Sequence, residues 1–462
     1  MVLYNNYNEW HAHATRQDKR NGAERWRSHE ESSLYDNTVI RYRYDELREI
    51  RAQQDPKKLL YYLNEGLHGN MGGMGTPALY SRSLLGTKTL IHDYLEELAL
   101  ALKDLAATDN RKISRKDKVA YLRRASICFG RSALMFSGAG SLGAFHIGVA
   151  KELAAHDLLP RIVSGASAGS LVAAVIGTHT REELTNVLDQ NDFTTNFEAL
   201  VESEGPSARP RQISQDDLIT TVESLLPDLT FAEAYDLTGV SLNVSVAPSE
   251  LHQRSRMLNA IVSPNAFIRE AVIASCAIPG VFPPVTLMAK DGASRKPYVA
   301  SRTWVDGSIT DDQPAKRIAR QYGVNHFISS QANPLVVWGM NWPGTTDNLL
   351  GRVVDIQQRS IRDGLRIIYP TVMDAVRNIY PLNTYTRFWF SMMTQEYKAD
   401  INLIPPPNVL SPFKVLSHLS NDDTAKLILA GQRATWPKLA MIENCTKVSR
   451  TIDDALAQLE QR

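Results

Sequence analysis

Gly165-Ala166-Ser167-Ala168-Gly169-Ser170 follows directly on the apolar stretch from Leu158 to Val163. A serine with a glycine one residue removed on each side suits a sharp strand-to-helix turn that projects the serine hydroxyl, the geometry of a nucleophile elbow. Ser167 is therefore the first candidate nucleophile, with Gly165 and Gly169 as the elbow glycines. A bare G-x-S-x-G also fits a small-residue turn that packs a helix closely on a sheet, so the neighbouring stretches have to decide.

Upstream, Ala133-Leu134-Met135-Phe136 reads as a short apolar strand, and Ser137-Gly138-Ala139-Gly140-Ser141-Leu142-Gly143 leads into a helix through Ala144, Ile147, Val149 and Leu153. A G-x-G-x-x-G between strand and helix is also the dinucleotide fingerprint, which wants an acidic residue about 20 positions on to bind the ribose. Here the second strand ends Val163-Ser164-Gly165, without a carboxylate. The other use of such a turn is an oxyanion hole, because successive backbone N–H groups at a helix start converge on negative charge. Gly138, Ala139 and Gly140 are the candidate donors.

Downstream, Thr303-Trp304-Val305-Asp306-Gly307-Ser308 places Asp306 at the end of a predicted strand, with Gly307 to turn the chain. Reacting groups in open α/β sheets gather at the carboxyl ends of strands, so Ser167 and Asp306 are expected to meet. A serine hydroxyl is a weak nucleophile until a base takes its proton, and Asp306 is the expected base. A carboxyl near its reference pKa of about 3.9 is poorly matched to neutral pH, so burial is expected to raise it. The rival is a Ser-His-Asp triad. His326, in the strand Val324 to Ser330, is the best-placed histidine for it, but both His326 and His146 read more simply as structural residues.

The rest of the chain reads as α/β, a mostly parallel sheet flanked by helices, with helical extensions at both ends. Residues 1–128 form a helical domain. Asp55-Pro56 starts a helix that fades by Gly66, and the glycines from Gly66 to Gly75 read as a flexible connector. Leu90, Ile91, Tyr94, Leu95, Leu98, Leu102 and Leu105 recur at helical spacing. Ser114 with Asp117 caps the next helix. Residues 129–334 form the catalytic domain. Within it, residues 203–213 are the best candidate for a mobile loop over the site, and Val240 to Val246 alternates like a half-buried strand. A helix starts at Ser263-Pro264 and ends near Cys276, where Pro279, Gly280, Pro283 and Pro284 cannot continue it. Residues 335–462 are read as mainly helical. Their aromatics interleaved with Arg362, Arg366, Arg377 and Arg387 suit a membrane interface.

Composition narrows the function classes. With 51 basic against 50 acidic residues in 462, no bulk field draws the chain to nucleic acid or an anionic surface. Cys128, Cys276 and Cys445 form neither a disulfide framework nor a metal spacing, so no metal and no cofactor are expected. Ser132 to Ala150 and Ile162 to Thr180 approach a membrane span in length, but their apolar residues are split around glycine-rich turns, and no spanning helix is predicted. Met1 to Arg20 has no apolar core of a secretory signal, so an intracellular location is expected.

With the three ordered motifs in place, the chain resembles the patatin-like phospholipase family, over Ala133 to about Ser330 by motif. It is most similar to the branch of intracellular triacylglycerol lipases of fungal and plant storage lipid. That branch carries an N-terminal helical domain of the DUF3336 kind, matched here by Leu79-Tyr80 and Gly86-Thr87-Lys88-Thr89-Leu90-Ile91. Ala277-Ile278-Pro279-Gly280-Val281-Phe282 and Ala434-Thr435-Trp436-Pro437 support the same branch. The resemblance implies a Ser167–Asp306 dyad without histidine, an oxyanion hole at Gly138 to Gly140, and hydrolysis of triacylglycerol or phospholipid at a membrane or lipid-droplet surface. Departures are Ala139 where many members have glycine, Leu142 where many have a basic residue, and Ser308 where glycine or alanine is common. Backbone donors survive the first departure; a side-chain donor at 142 does not survive the second. His418 and Asp423 have the His-x4-Asp spacing of glycerolipid acyltransferases, which makes acyl transfer from acyl-CoA the alternative, and a catalytically weak lipid-binding protein a third.

Overall fold

In a computed structural model the described residues are 4–189, 214–250, 253–308, 312–333, 337, 399–406, 415, 417 and 419–460. The candidate mobile loop 203–213, the arginine and aromatic stretch 341–398 and His418 lie outside them. Contacts divide the chain into two compact units, one of Met1–Ala133, Lys316–Ile328 and Thr435–Arg462, the other of Leu134–Ala315 and Ser329–Ala434.

The first unit is largely helical. The apolar stripe from Leu90 to Leu105 is buried on the helix Thr89–Ala107, which packs against Asn37–Ala52 and the C-terminal helix Leu439–Glu460. Ser114 caps Arg115–Phe129 by accepting from Asp117 N–H at 3.1 Å. The glycine-rich connector proves to be folded. Gly72 O accepts from Asp36 N–H at 2.7 Å, and the Asn70 side chain accepts from Gly75 N–H at 2.8 Å, so backbone groups are satisfied locally. Lys88 is fully buried, its ammonium donating to the carbonyls of Trp26, His29 and Glu31.

The main sheet uses strands β1 (Arg131–Phe136), β2 (Ile162–Gly165), β3 (Ser241–Pro248) and β4 (Arg256–Leu258). A hairpin, β5 (Met288–Asp291) with β6 (Ser294–Pro297), stands apart from it; β7 (Trp304–Asp306), β8 (Val324–Ser330) and β9 (Ile401–Leu403) complete it. Spatial order is β4-β3-β2-β1-β8-β9, with β7 also paired to β3. The sheet is mostly parallel and flanked by helices, as expected. β9 adds a strand inside the region read as mainly helical.

Of the apolar stretch Leu158 to Val163, β2 takes only the end, from Ile162. Two local readings need correction. β3 is buried along nearly its whole length, not half-buried: its polar positions are satisfied internally, Asn243 Nδ2 donating to Val163 O at 3.1 Å. The helix expected from Ser263-Pro264 starts only at Ile268, since Ala266 and Phe267 are taken up in bridges to Ala289 and Thr230. The helix Ala168–Thr178, apolar on every side, packs on β2 and β3. Its approach is close enough that a Cβ on Gly177 would lie 2.9 Å from Leu242 Cβ.

Candidate active site

The register along β3 delivers the two candidates to one place. Val244 pairs with Gly165 of β2 and Leu258 of β4, while Val246 pairs with Arg256 of β4 and Asp306 of β7. β4 holds one edge at both positions, so β2 and β7 share the other. β2 leaves the sheet at Gly165, and β7 takes over two positions further along β3, a step of roughly 7 Å at about 3.3 Å per residue. The meeting therefore has a different cause from the one expected. Asp306 does end its strand, but β7 runs antiparallel to β3 and enters the space that β2 vacates.

The elbow is strained and tightly held. Ser167 adopts φ 51°, ψ −131°, a conformation that costs a non-glycine residue about 1–3 kcal/mol. Its N–H donates to Ser275 Oγ at 2.9 Å, and that hydroxyl donates onward to Ser245 O at 2.8 Å. Its carbonyl accepts from Ser170 N–H at 2.8 Å and Ser170 Oγ at 2.6 Å. The elbow glycines are required by close approach. A Cβ on Gly165 would lie 2.2 Å from Gly169 O, and one on Gly169 would lie 2.5 Å from the carbonyl oxygens of Phe136 and Ser137.

Asp306 is 1% exposed, and burial pushes its carboxyl up to about 6 against the opposing pull of the Ser308 N–H, the Ser308 hydroxyl and the Ser167 hydroxyl. The Ser308 N–H lies 2.8 Å from Asp306 Oδ1. The Ser167 hydroxyl is thus within hydrogen-bonding reach of a carboxyl poised near neutrality, behind which the N-terminus of Ala168–Thr178 adds a positive partial charge. Such a pair can abstract a hydroxyl proton and return it. The Cys276 thiol is also within reach of the Ser167 and Ser170 hydroxyls; burial, then the Asp306 charge, push it far up, so it stays a thiol.

Histidines serve elsewhere. Among the described residues the groups acting on the Asp306 carboxyl belong to Ser308 and Ser167, with no histidine. His326 Nδ1 is 3.0 Å from Ser132 Oγ. His146 is fully buried, which pushes it down to about 4, and it stays neutral. Its Nε2–H donates to Ser137 O at 3.0 Å, so Nδ1 accepts from Ser330 Oγ at 2.7 Å.

That bond anchors the glycine turn. Ser137 N–H donates to Ser330 O at 3.0 Å, and Ser137 Oγ accepts from Ala332 N–H at 3.1 Å. Gly138 N–H donates to Asp312 Oδ1 at 2.6 Å. Ser141 N–H donates to Val415 O at 2.9 Å, and Leu142 N–H to Ala139 O at 3.2 Å. Of the amides from Ser137 to Leu142, those of Ala139 and Gly140 have no acceptor among the described residues. Gly140 sits at φ +53°, and a Cβ there would lie 2.1 Å from Val415 O. Leu142 is buried and offers no side-chain donor.

Sequence reasoning missed Ser275, Cys276 and Asp312, whose partners are remote in the chain, and noted Ser308 only as a departure. Asp423 N–H is capped by Ser420 Oγ at 3.2 Å, an ordinary helix start.

A family model described as patatin-like phospholipase matches residues 134–318, and one described as a domain of unknown function (DUF3336) matches residues 1–126. Triacylglycerol lipase 4 of Saccharomyces cerevisiae is 32% identical over 99% of this chain and 52% of its own length. Triacylglycerol lipase 5 of the same yeast is 31% identical over 99% of this chain and 64% of its own. Triacylglycerol lipase ptl2 of Schizosaccharomyces pombe is 32% identical over 97% of this chain and 73% of its own. The chain thus spans between half and two thirds of the length of the two budding-yeast relatives.

Proposed function

The chain belongs to the patatin-like phospholipase family, and from that premise we propose that it is a serine hydrolase of fatty-acyl esters, working through a Ser167–Asp306 dyad and an acyl-enzyme. The observation that carries the reading is the buried Asp306 carboxyl, poised near 6 and lowered by the Ser167 hydroxyl, at the place along β3 where β7 succeeds β2 and its elbow. Asp306 takes the Ser167 proton as Oγ attacks the ester carbonyl, then gives it to the departing alcohol. Water attacks the acyl-enzyme with Asp306 again as base, releasing fatty acid. The oxyanion of each tetrahedral intermediate is bound by the N–H groups of Ala139 and Gly140; Gly138, the third expected donor, has its N–H engaged by Asp312. No cofactor or metal takes part in this scheme.

Triacylglycerol is the substrate to test first, because three relatives aligned over nearly the whole chain are named triacylglycerol lipases. Phospholipid is the second. An ester of either kind sits at an interface, so the protein works peripherally at an intracellular membrane or droplet surface. No helix among the described residues is long and apolar enough to cross a membrane.

The test incubates purified wild type, Ser167→Ala and Asp306→Asn with a fluorophosphonate probe, emulsified triacylglycerol and phospholipid vesicles. Labelling and fatty-acid release are expected from wild type and lost in Ser167→Ala. Labelling that persists in Ser167→Ala sinks the dyad. Acyl-CoA consumption without net hydrolysis points instead to transfer.

A further inference from the structure

The segment that brings Asp306 to Ser167 brings a second buried carboxylate to the glycine turn. Asp312 is 1% exposed and accepts from Gly138 N–H at 2.6 Å. The turn lies close to Ser308 and Asp312: a Cβ on Gly138 would lie 3.2 Å from Ser308 Cβ and 3.4 Å from Asp312 Oδ1. The next residue, Gln313, is pinned to β8 through the Ser329 hydroxyl, 2.7 Å from its Nε2. On the far side Ser137 is tied to Ser330, Ala332 and His146. The turn is therefore gripped at its first two residues, and the next two amides, Ala139 and Gly140, are left for a ligand.

We propose that Asp312 is a positioning residue for the oxyanion hole: by holding the Gly138 amide it ties the turn to the segment carrying Asp306 and aims the Ala139 and Gly140 amides at the acyl oxygen. The base and the hole are then set in register by one stretch of chain. Asp312 does not touch the reacting atoms. What matters is an acceptor oxygen at its place, since a negative charge beside a developing oxyanion is not itself favourable. The inference rests on the hydrolase reading.

The test compares wild type, Asp312→Asn, Asp312→Leu and Ser167→Ala as full chains. Each is assayed on a soluble p-nitrophenyl ester, and for binding of an alkyl trifluoromethyl ketone, whose hemiketal oxyanion occupies the hole. Asp312→Leu keeps the bulk but not the acceptor. Its kcat is expected to fall about a hundred-fold, the loss typical of one misplaced oxyanion donor, with KM within a few-fold and ketone affinity weakened in step with kcat. Asp312→Asn, whose amide oxygen still accepts from Gly138, is expected to stay within a few-fold of wild type on both readouts. A merely structural role would lower the folded fraction without this split. Asp312→Leu as active as wild type, or more active because Gly138 N–H is freed for the substrate, overturns the proposal. So does an Asp312→Asn that falls as far as Asp312→Leu. Should the leucine variant fail to fold, a hundred-fold loss in folded Asp312→Asn overturns it and retained activity supports it. Undiminished hydrolysis in Ser167→Ala is the distinct failure, of the hydrolase reading itself.

Discussion

Replacing Asp306 by asparagine should slow hydrolysis by orders of magnitude and make the protein more stable, by an amount that grows with pH. Burial raises the carboxyl from 3.8 to about 6. Between those values the folded chain keeps a proton that the unfolded chain has released. Stability is therefore lost as pH rises through this window: no loss below about pH 4, and the full loss above about pH 6. A shift of about 2 units is worth ~3 kcal/mol at about 1.4 kcal/mol per unit. An asparagine side chain at this position has no proton to lose, and its oxygen can still accept from Ser308 N–H. The melting midpoint of Asp306→Asn minus that of wild type should then widen between pH 4 and pH 7 by about 6–12 °C, at roughly 2–4 °C per kcal/mol for a unit of this size. All other titrating groups cancel in the difference. Differential scanning fluorimetry across that range measures it. Hydrolysis should drop by about a hundred- to ten-thousand-fold, the usual worth of a general base. Wild-type kcat/KM should rise about tenfold per pH unit below 6 and then level, because Asp306 is about nine-tenths ionised at pH 7. Melting curves that stay parallel across pH, or an Asp306→Asn variant within tenfold of wild type, would refute the reasoning.

Ser308→Ala removes a hydroxyl that lowers the Asp306 pKa but keeps the N–H, so the acid limb of the pH–rate profile should move to higher pH. Ser167→Gly relieves the strained φ of 51°, and should melt higher by the equivalent of about 1–3 kcal/mol while losing fluorophosphonate labelling. Gly169→Ala puts a methyl 2.5 Å from two carbonyl oxygens; overpacking of that kind costs about 1–3 kcal/mol or more, visible as a lower urea midpoint.

The elbow was legible because its requirement is local: two glycines within four residues of each other, each facing backbone at sub-contact distance. Asp306 was legible as a residue but not in its placement. Strand direction depends on β3 outrunning β2, and no pattern near Asp306 says that β7 enters antiparallel. Asp312 was illegible for the same reason in a stronger form, since its partner Gly138 is 174 positions away. Histidine placement shows the converse. His146 reads as structural from its position on a helix behind a turn, and its two hydrogen bonds agree, yet the carbonyl it holds belongs to the first residue of the proposed oxyanion turn.

What joins these parts is a set of buried serines that hydropathy would assign to loops. Ser137, Ser170, Ser275 and Ser330 are wholly buried, and Ser308 nearly so. Each puts its hydroxyl into the buried hydrogen bonding of the site: Ser137 accepts from Ala332 N–H, Ser170 donates to Ser167 O, Ser330 donates to His146, and the Ser308 hydroxyl lowers the Asp306 carboxyl. Ser275 shows the logic best, accepting from the Ser167 N–H and donating to Ser245 O on β3. Alanine there would leave the Ser167 N–H buried and unpaired, at a cost of about 1–3 kcal/mol on a residue already in a strained conformation. The strain at Ser167 persists because its neighbours overdetermine it, so the proposed dyad depends on these serines for its geometry.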